Sequence, residues 1–174
     1  MLSWLAGEGN RLARLERLRW VWFSSPLVRP SHRQPRLKIA VATALARAFP
    51  RMTLSNGVRA SDCYHMGRRS AAESDFSSDG GHHRVSLRFA TSLLAAEAGL
   101  LDRARSLPPG LACLVTQGAE DGICPPECTE GFYRSLNVRV KTLLFVSGAR
   151  HEPFREDGSE GVTHSVAAWL ASRA

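Results

Sequence analysis

Apolar and polar positions follow two different periods along this chain, one typical of helices and the other of buried strands. Leu5, Leu12, Leu15 and Leu18 recur at spacings that place them on one face of a helix over residues 5–18. Similar spacing predicts further helices at residues 36–49, 86–107, 125–136 and 158–173. Short runs rich in aromatic and β-branched residues predict buried strands at residues 19–25, 111–118 and 140–148.

The order of these elements predicts an α/β fold. Strand and helix alternate after residue 110, which is typical of a parallel sheet covered by helices. A long, mostly helical insert separates the first strand from the second, and residues 51–85 within it show no regular period. Three parallel strands alone would leave one edge and one face of the sheet uncovered, so we expect this sheet to belong to a larger one.

Composition and charge narrow the possible function classes. The 174 residues are 44% hydrophobic and can bury the core of about one domain, and no apolar run is long enough to cross a bilayer. The first residues do not have the pattern of an export signal, so we expect a cytoplasmic protein. Residues 1–60 hold eleven Lys and Arg against two Asp and Glu, but without a recognised nucleic-acid-binding motif. We therefore expect solvated helix faces and no nucleic-acid partner, with binding to nucleic acid or anionic membranes as a further alternative.

The cysteines do not indicate disulfides, because the expected location is reducing. There are four of them: Cys63, Cys113, Cys124 and Cys128. Cys124 and Cys128 lie four positions apart, yet no further ligands with the spacing of a zinc site are close in sequence. We expect ordinary thiols, no metal and no other cofactor.

Two polar loops follow successive strands of the predicted sheet. Asp121 lies just after the strand at residues 111–118, and His151 lies just after the strand at residues 140–148. Because the carboxyl ends of adjacent parallel strands share one edge, we expect the two side chains to meet there. A carboxylate can fix the tautomer of an imidazole, whose other nitrogen then accepts a proton from a serine hydroxyl. Taken singly, Asp121 could be a helix cap and His151 a structural histidine. Weaker candidates for the acid lie in the polar segment: Asp62, Asp75 and Asp79.

Four stretches resemble the C-terminal half of the serine aminopeptidase-like α/β-hydrolases, a group that contains monoacylglycerol lipases and bacterial lysophospholipases. They are SSPLV (24–28), LVTQGAEDGICPPE (114–127), LLFVSGARHEPFRE (143–156) and VAAWLASR (166–173). The resemblance implies a partial α/β-hydrolase fold, made of the last three parallel strands with flanking helices and a mostly helical cap insertion. It implies a core of residues 1–26 and 108–174, and a cap of residues 27–107 that shapes an acyl-binding groove.

The same resemblance implies roles for individual residues. Asp121 would be the triad acid and His151 the triad base, with Glu152 steadying the histidine loop. The implied reaction is hydrolysis of a carboxylic ester, such as a monoacylglycerol or lysophospholipid, without metal or cofactor. The implied partner is a small lipid ester, with peripheral membrane contact through the cap. The substrate-binding residues, the head group, the acyl length and the oligomeric state do not follow from the sequence.

The nucleophile of such a triad is missing from the sequence. The family places it in a Gly-x-Ser-x-Gly elbow, and this motif does not occur in the chain. By analogy with relatives the elbow would fall at or just before Met1, so we expect a truncated or misassigned start. Ser3 is the nearest hydroxyl, but Leu2 and Trp4 beside it do not suit a tight turn. The leading hypothesis is a serine hydrolase whose chain alone is inactive, and the alternative is a non-catalytic remnant or a partner-binding fragment.

Overall fold

The computed structural model of the chain describes residues 18–31, 34–65, 84–97 and 99–173. The helix predicted over residues 5–18 lies outside these ranges, apart from its last residue. Five strands are present in the described part: β1 (Trp20–Ser24), β2 (Thr53–Ser55), β3 (Arg84–Ser86), β4 (Ala112–Gly118) and β5 (Val140–Val146). The helices there are α1 (Arg36–Ala48), α2 (Ala60–Cys63), α3 (Leu87–Glu97), α4 (Leu100–Arg105), α5 (Pro126–Ser135) and α6 (Glu160–Ala171).

The main sheet has three parallel strands in the order β1-β4-β5. Trp20 pairs with Ala112 at the start of β1, and Ala112 pairs with Val140 at the start of β5. All seven residues of the central strand β4 are buried, as expected for a strand with a neighbour on each side and helices on both faces. The predicted partial α/β-hydrolase fold, with parallel strands and flanking helices, is confirmed.

Each face of this sheet has its own core. On one face, Phe23 of β1 packs edge-on against Phe132 of α5, with 5.4 Å between ring centroids, and α4 adds Leu100 and Ala104. On the other face, Leu114 of β4 packs against Val162 and Val166 of α6. Because side chains alternate along a strand, neighbouring residues of one strand pack into the cores on opposite faces of the sheet.

The insert contains a two-stranded antiparallel ribbon that the sequence pattern did not predict. Strands β2 and β3 pair Thr53 with Ser86 and Ser55 with Arg84. Each has three residues, too few to show a period, and all of β2 is exposed, so no apolar alternation marks either strand. The ribbon therefore depends on pairing between segments that are distant in sequence.

The long helix predicted at residues 86–107 is in fact two helices. Gly99 separates α3 from α4 and has a left-handed backbone, with φ of 75°. Glycine adopts this conformation without the steric cost that a side chain would add, so the chain turns there and a new helix starts. The break brings Leu100 and Ala104 of α4 onto the core beneath the main sheet.

Gly118 at the end of β4 allows the closest approach between the two strand-end loops. A Cβ added there would lie 1.8 Å from the carbonyl oxygen of Arg150 and 2.5 Å from that of Ala149. Both obstacles are backbone atoms of the loop that follows β5, so they cannot move away as a flexible side chain would. The missing side chain at position 118 thus lets the loop after β5 cross the end of β4.

We expect Gly118→Ala to destabilise the protein by about 1–3 kcal/mol, because the new methyl group must push the crossing backbone away. Gly131→Ala in α5 is the matched control, since its Cβ would meet nothing within 4 Å and alanine favours a helix. The free energy of unfolding from urea titration measures both changes. Equal stability of Gly118→Ala and the unchanged protein would contradict the close crossing.

Candidate active site

Asp121 lies in the turn that follows β4, and this turn is built around its side chain. One carboxylate oxygen, Oδ1, accepts hydrogen bonds from the backbone N–H groups of Ile123 and Cys124, at 2.8 and 2.9 Å. Such local acceptance is characteristic of Asp in turns. The side chain is fully buried and its second oxygen, Oδ2, points to the neighbouring loop.

His151 meets that second oxygen from the loop after β5. Its Nδ1 lies 2.8 Å from Asp121 Oδ2, across 30 residues of sequence. An Nδ1–H that donates to the carboxylate leaves Nε2 as the acceptor nitrogen of the neutral ring. The histidine side chain is 25% exposed, whereas the aspartate side chain is fully buried. The pair therefore combines a partly exposed imidazole with a carboxylate that is shielded from solvent.

Gln117, the residue before Gly118, binds the Asp121 carboxylate through its side-chain amide. Its side chain is fully buried, donates to Asp121 Oδ2 at 2.6 Å, and accepts a hydrogen bond from Thr129 Oγ1 at 2.7 Å. Neither Gln117 nor Thr129 is among the residues that the sequence predicts for this site. The available signal was a glutamine near the end of a mostly apolar strand, because a buried amide needs polar partners.

Asp121 is ionised at neutral pH because its hydrogen bonds outweigh its burial. Burial alone would raise the pKa of this carboxyl group. The hydrogen bonds from His151, the backbone of Cys124 and Gln117 act in the opposite direction and hold the pKa of Asp121 below its ordinary value of 3.8. The site therefore contains a buried negative charge next to the imidazole.

The loop that carries His151 is held by a second carboxylate. Glu156 accepts a hydrogen bond from the backbone N–H of Arg150 at 2.8 Å and one from that of His65 at 2.9 Å. Burial would raise the pKa of Glu156, but these bonds and the His65 side chain lower it below 4.5. Glu152, expected to steady the loop, places its side chain 3.2 Å from Arg155 within the same loop.

Asp121, Cys124 and His151 form a group of potential metal ligands, with all three ligand atoms within 4.8 Å of one another. The chemistry of the group does not favour a metal ion. Both oxygens of Asp121 already accept hydrogen bonds, and binding through Nδ1 would break the bond to His151. Burial raises the pKa of the Cys124 thiol to about 12, which disfavours the thiolate that binds metals. The donor set fits the hydrogen-bonded pair better than an ion.

Among the other candidates from the sequence, the one that lies in the described residues does not join this site. Asp62 caps α2, where its Oδ2 accepts the backbone N–H of Arg59 at 2.8 Å. Ser3, Asp75 and Asp79 lie outside the described residues. Ser25, at the end of β1, is a hydroxyl that the sequence analysis did not consider. It has a φ of 39°, and its buried Oγ has no hydrogen-bond partner among the described residues.

Solved structures of lipolytic enzymes share this fold. The chain has a TM-score of 0.79 and 27% identity to the monoacylglycerol lipase of Paleococcus ferrophilus, covering 93% of this chain and 62% of that one. A soluble variant of the monoglyceride lipase of Saccharomyces cerevisiae, solved with a substrate analogue, has a TM-score of 0.75. It is 20% identical, with coverage of 99% and 61%, so this second likeness concerns the fold alone.

A similarity in sequence points to the same group. An uncharacterised abhydrolase domain-containing protein of Dictyostelium discoideum is 26% identical over 152 residues, which are 86% of this chain and 16% of that protein. The chain thus spans about three fifths of the solved lipases and a smaller part of this relative.

The family model described as serine aminopeptidase, S33, matches residues 12–158. This range includes all three strands of the main sheet and both loops of the Asp121–His151 pair. The chain belongs to the serine aminopeptidase S33 family of α/β-hydrolases.

Proposed function

We propose that this chain provides the acid and the base of a serine hydrolase that cleaves carboxylic esters of the monoacylglycerol or lysophospholipid type. The observation that carries the proposal is the 2.8 Å contact between His151 Nδ1 and the buried, ionised Asp121. The likeness to a monoacylglycerol lipase, at 27% identity, supports the substrate class.

In the proposed mechanism His151 transfers protons and Asp121 stabilises the charge that forms. Nε2 removes the proton from a serine hydroxyl while the serine oxygen attacks the ester carbonyl. The resulting imidazolium is stabilised by the Asp121 carboxylate, and it returns the proton to the leaving alcohol as the acyl–serine ester forms. Water then repeats the sequence on the acyl–serine ester and releases the fatty acid. These steps need only the triad and hydrogen-bond donors for the oxyanion.

The edge of β1 that has no paired strand among the described residues supports a position for the nucleophile on a strand next to it. Val21 and Phe23 are buried on one face of β1 and Trp22 packs on the other, as in an internal strand, yet among the described residues β1 pairs only with β4. We propose that a further parallel strand, carrying the serine, pairs with this edge in the complete fold. The unpartnered hydroxyl of Ser25 lies at the end of the same strand. In this proposal residues 1–26 and 108–174 are core and residues 27–107 are cap.

An apolar surface on the proposed cap supports contact with lipid. Leu37, Val41, Leu45 and Phe49 are exposed and recur every four residues along α1 and just beyond it. The described residues 34–55 also contain four basic side chains and no acidic ones: Arg36, Lys38, Arg47 and Arg51. Apolar side chains flanked by positive charge suit the surface of an anionic membrane. No helix in the described ranges is both long and apolar enough to span a bilayer.

The ester hydrolysis itself can be tested by adding the part of the fold that the chain does not span. We expect a fusion of this chain to the segment of the Paleococcus ferrophilus lipase outside the matched region to hydrolyse monoacylglycerol and p-nitrophenyl esters. His151→Ala in the fusion should lower kcat about 10³- to 10⁴-fold, because the serine loses its base. Asp121→Asn should lower it comparably.

His164→Ala is the matched control, because this histidine is exposed on α6 and its loss should leave kcat unchanged. Circular dichroism and the melting temperature establish that each variant is folded. Hydrolysis that survives His151→Ala would overturn the assigned base. A folded fusion without any hydrolysis would instead favour the alternative of a non-catalytic, partner-binding fragment.

The ionised state of Asp121 can be tested through stability as a function of pH. Because its pKa is lowered on folding, its stabilising contribution is present above pH 3.8 and is lost as the pH falls through the folded-state pKa. Asp121→Asn should remove this loss, so its free energy of unfolding should fall less with acidification than that of the unchanged protein. Urea titrations from pH 7 to pH 2 measure the difference.

Asp157→Asn, an exposed carboxylate on the loop after β5, serves as the comparison and should retain the normal acid dependence. If the stability profile of Asp121→Asn parallels that of the unchanged protein, the carboxyl group is not held in its charged form by the fold.

The lipid contact can be tested with vesicles that contain phosphatidylglycerol. The double substitution Leu37→Ser and Phe49→Ser should weaken binding roughly tenfold or more, because two apolar side chains no longer enter the interface. Leu101→Ser on α4 removes an exposed apolar side chain elsewhere and should bind as before. Cosedimentation measures the partition coefficient. Unchanged vesicle binding by the double variant, or no vesicle binding by the original chain, would exclude the apolar surface of α1 as the site of lipid contact.

A further inference from the structure

The segment of residues 59–65 is the part of the insert that contacts the histidine loop. Five of the described hydrogen bonds join it to residues 150–156, and one of them runs from the Arg155 guanidinium to the Tyr64 hydroxyl at 3.3 Å. Two are made by backbone acceptors, since Cys63 O accepts the N–H of Glu152 at 2.7 Å and Ser61 O accepts the Arg150 guanidinium. The other two join His65 to Glu156, through the backbone N–H at 2.9 Å and through ring Nδ1 at 3.1 Å.

Aromatic and apolar contacts reinforce this junction. The guanidinium of Arg155 lies 4.4 Å above the centroid of the Tyr64 ring, and Tyr64 itself is buried. Cys63 and Tyr64 form a small core with Ala60, and Ile123 from the Asp121 turn packs against this core. Residues 59–65 therefore contact both loops of the Asp121–His151 pair.

Glu156 links this segment to the peptide group next to the proposed base. Its Oε1 accepts the N–H of Arg150, directly before His151, while its Oε2 accepts both bonds from His65. The side chain is only 9% exposed, so these bonds are shielded from solvent. The Glu156 carboxylate thus connects residue 65 to residue 150 and fixes the position of the backbone directly before His151.

We propose that Glu156 and His65 are positioning residues for His151, through which residues 59–65 of the insert hold the imidazole against Asp121. This inference rests on the proposed function of the pair, since positioning of a base has a purpose only if His151 is one. Glu156 does not touch the imidazole of His151 in the described contacts. It acts through the backbone of Arg150, and His65 acts through Glu156.

The strength of the Asp121–His151 bond tests the proposal without requiring hydrolysis. In the 174-residue chain labelled with ¹⁵N-histidine, the Nδ1–H proton of His151 should exchange slowly with solvent, because the bond to Asp121 protects it. Glu156→Gln removes the charge that accepts three hydrogen bonds, and we expect Nδ1–H exchange to become about tenfold faster or more. His65→Leu retains the backbone bond, and we expect a smaller acceleration.

Asp157→Asn is the matched control, because it makes the same change from acid to amide next to Glu156, on the same loop and at an exposed side chain. It should leave the exchange rate unchanged. If circular dichroism shows that Glu156→Gln does not fold, His65→Leu is the variant that tests the proposal. A wild-type exchange rate of the His151 Nδ1–H proton in that variant would overturn the proposal. Wild-type exchange in a folded Glu156→Gln overturns it as well.

The result that would contradict the proposed function differs from the result that would contradict the positioning role of Glu156. A fusion that hydrolyses esters without dependence on His151 would remove the catalytic role even where Glu156→Gln accelerates exchange. In the hydrolytic fusion, the proposal expects Glu156→Gln to lower kcat about tenfold with little change in KM, since the geometry of the base changes and the substrate contacts do not. An unchanged kcat with accelerated exchange would overturn the positioning role.

Discussion

The parallel pairing of β4 with β5 is the constraint on which the site depends. Because both strands run in the same direction, the turn after one and the loop after the other emerge at the same edge of the sheet. Gly118 then allows the backbone of Ala149 and Arg150 to cross within a distance that no side chain would permit. Two residues that are 30 positions apart in sequence thereby come within one hydrogen bond.

A buried charge is costly unless the surrounding groups replace the water that it has lost. Asp121 obtains this replacement from two backbone N–H groups, the amide of Gln117 and the ring of His151. Gln117 is fixed in turn by Thr129 at the start of α5. The charge is therefore maintained by groups from β4, from the turn after it and from the loop after β5, so its geometry is set by the fold. A carboxylate prepared in this way can stabilise an imidazolium without further rearrangement.

The surroundings of the pair extend beyond the main sheet. Residues 59–65 come from the insert between β1 and β4, yet they bond to the loop after β5. Among the described residues, no strand pairs with the outer edge of β1 and the apolar side of α1 is exposed, in a chain that spans about three fifths of its solved relatives. The edge of β1 is the proposed position of the strand that carries the nucleophile. The apolar side of α1 is the proposed surface for contact with lipid.

Local patterns were sufficient to determine the class of the fold. The strands at residues 111–118 and 140–148, the helices beside them, and the position of Asp121 and His151 just beyond the strands all follow from apolar periodicity and short motifs. These features depend on neighbours in sequence, so the sequence expresses them directly. Only the tertiary structure decided the break at Gly99, the β2–β3 ribbon, the support by Gln117, and the contacts of Glu156 with His65 and Arg150. Each of these depends on a partner remote in the chain or on a backbone angle set by packing, and neither leaves a periodic signal in the order of the residues.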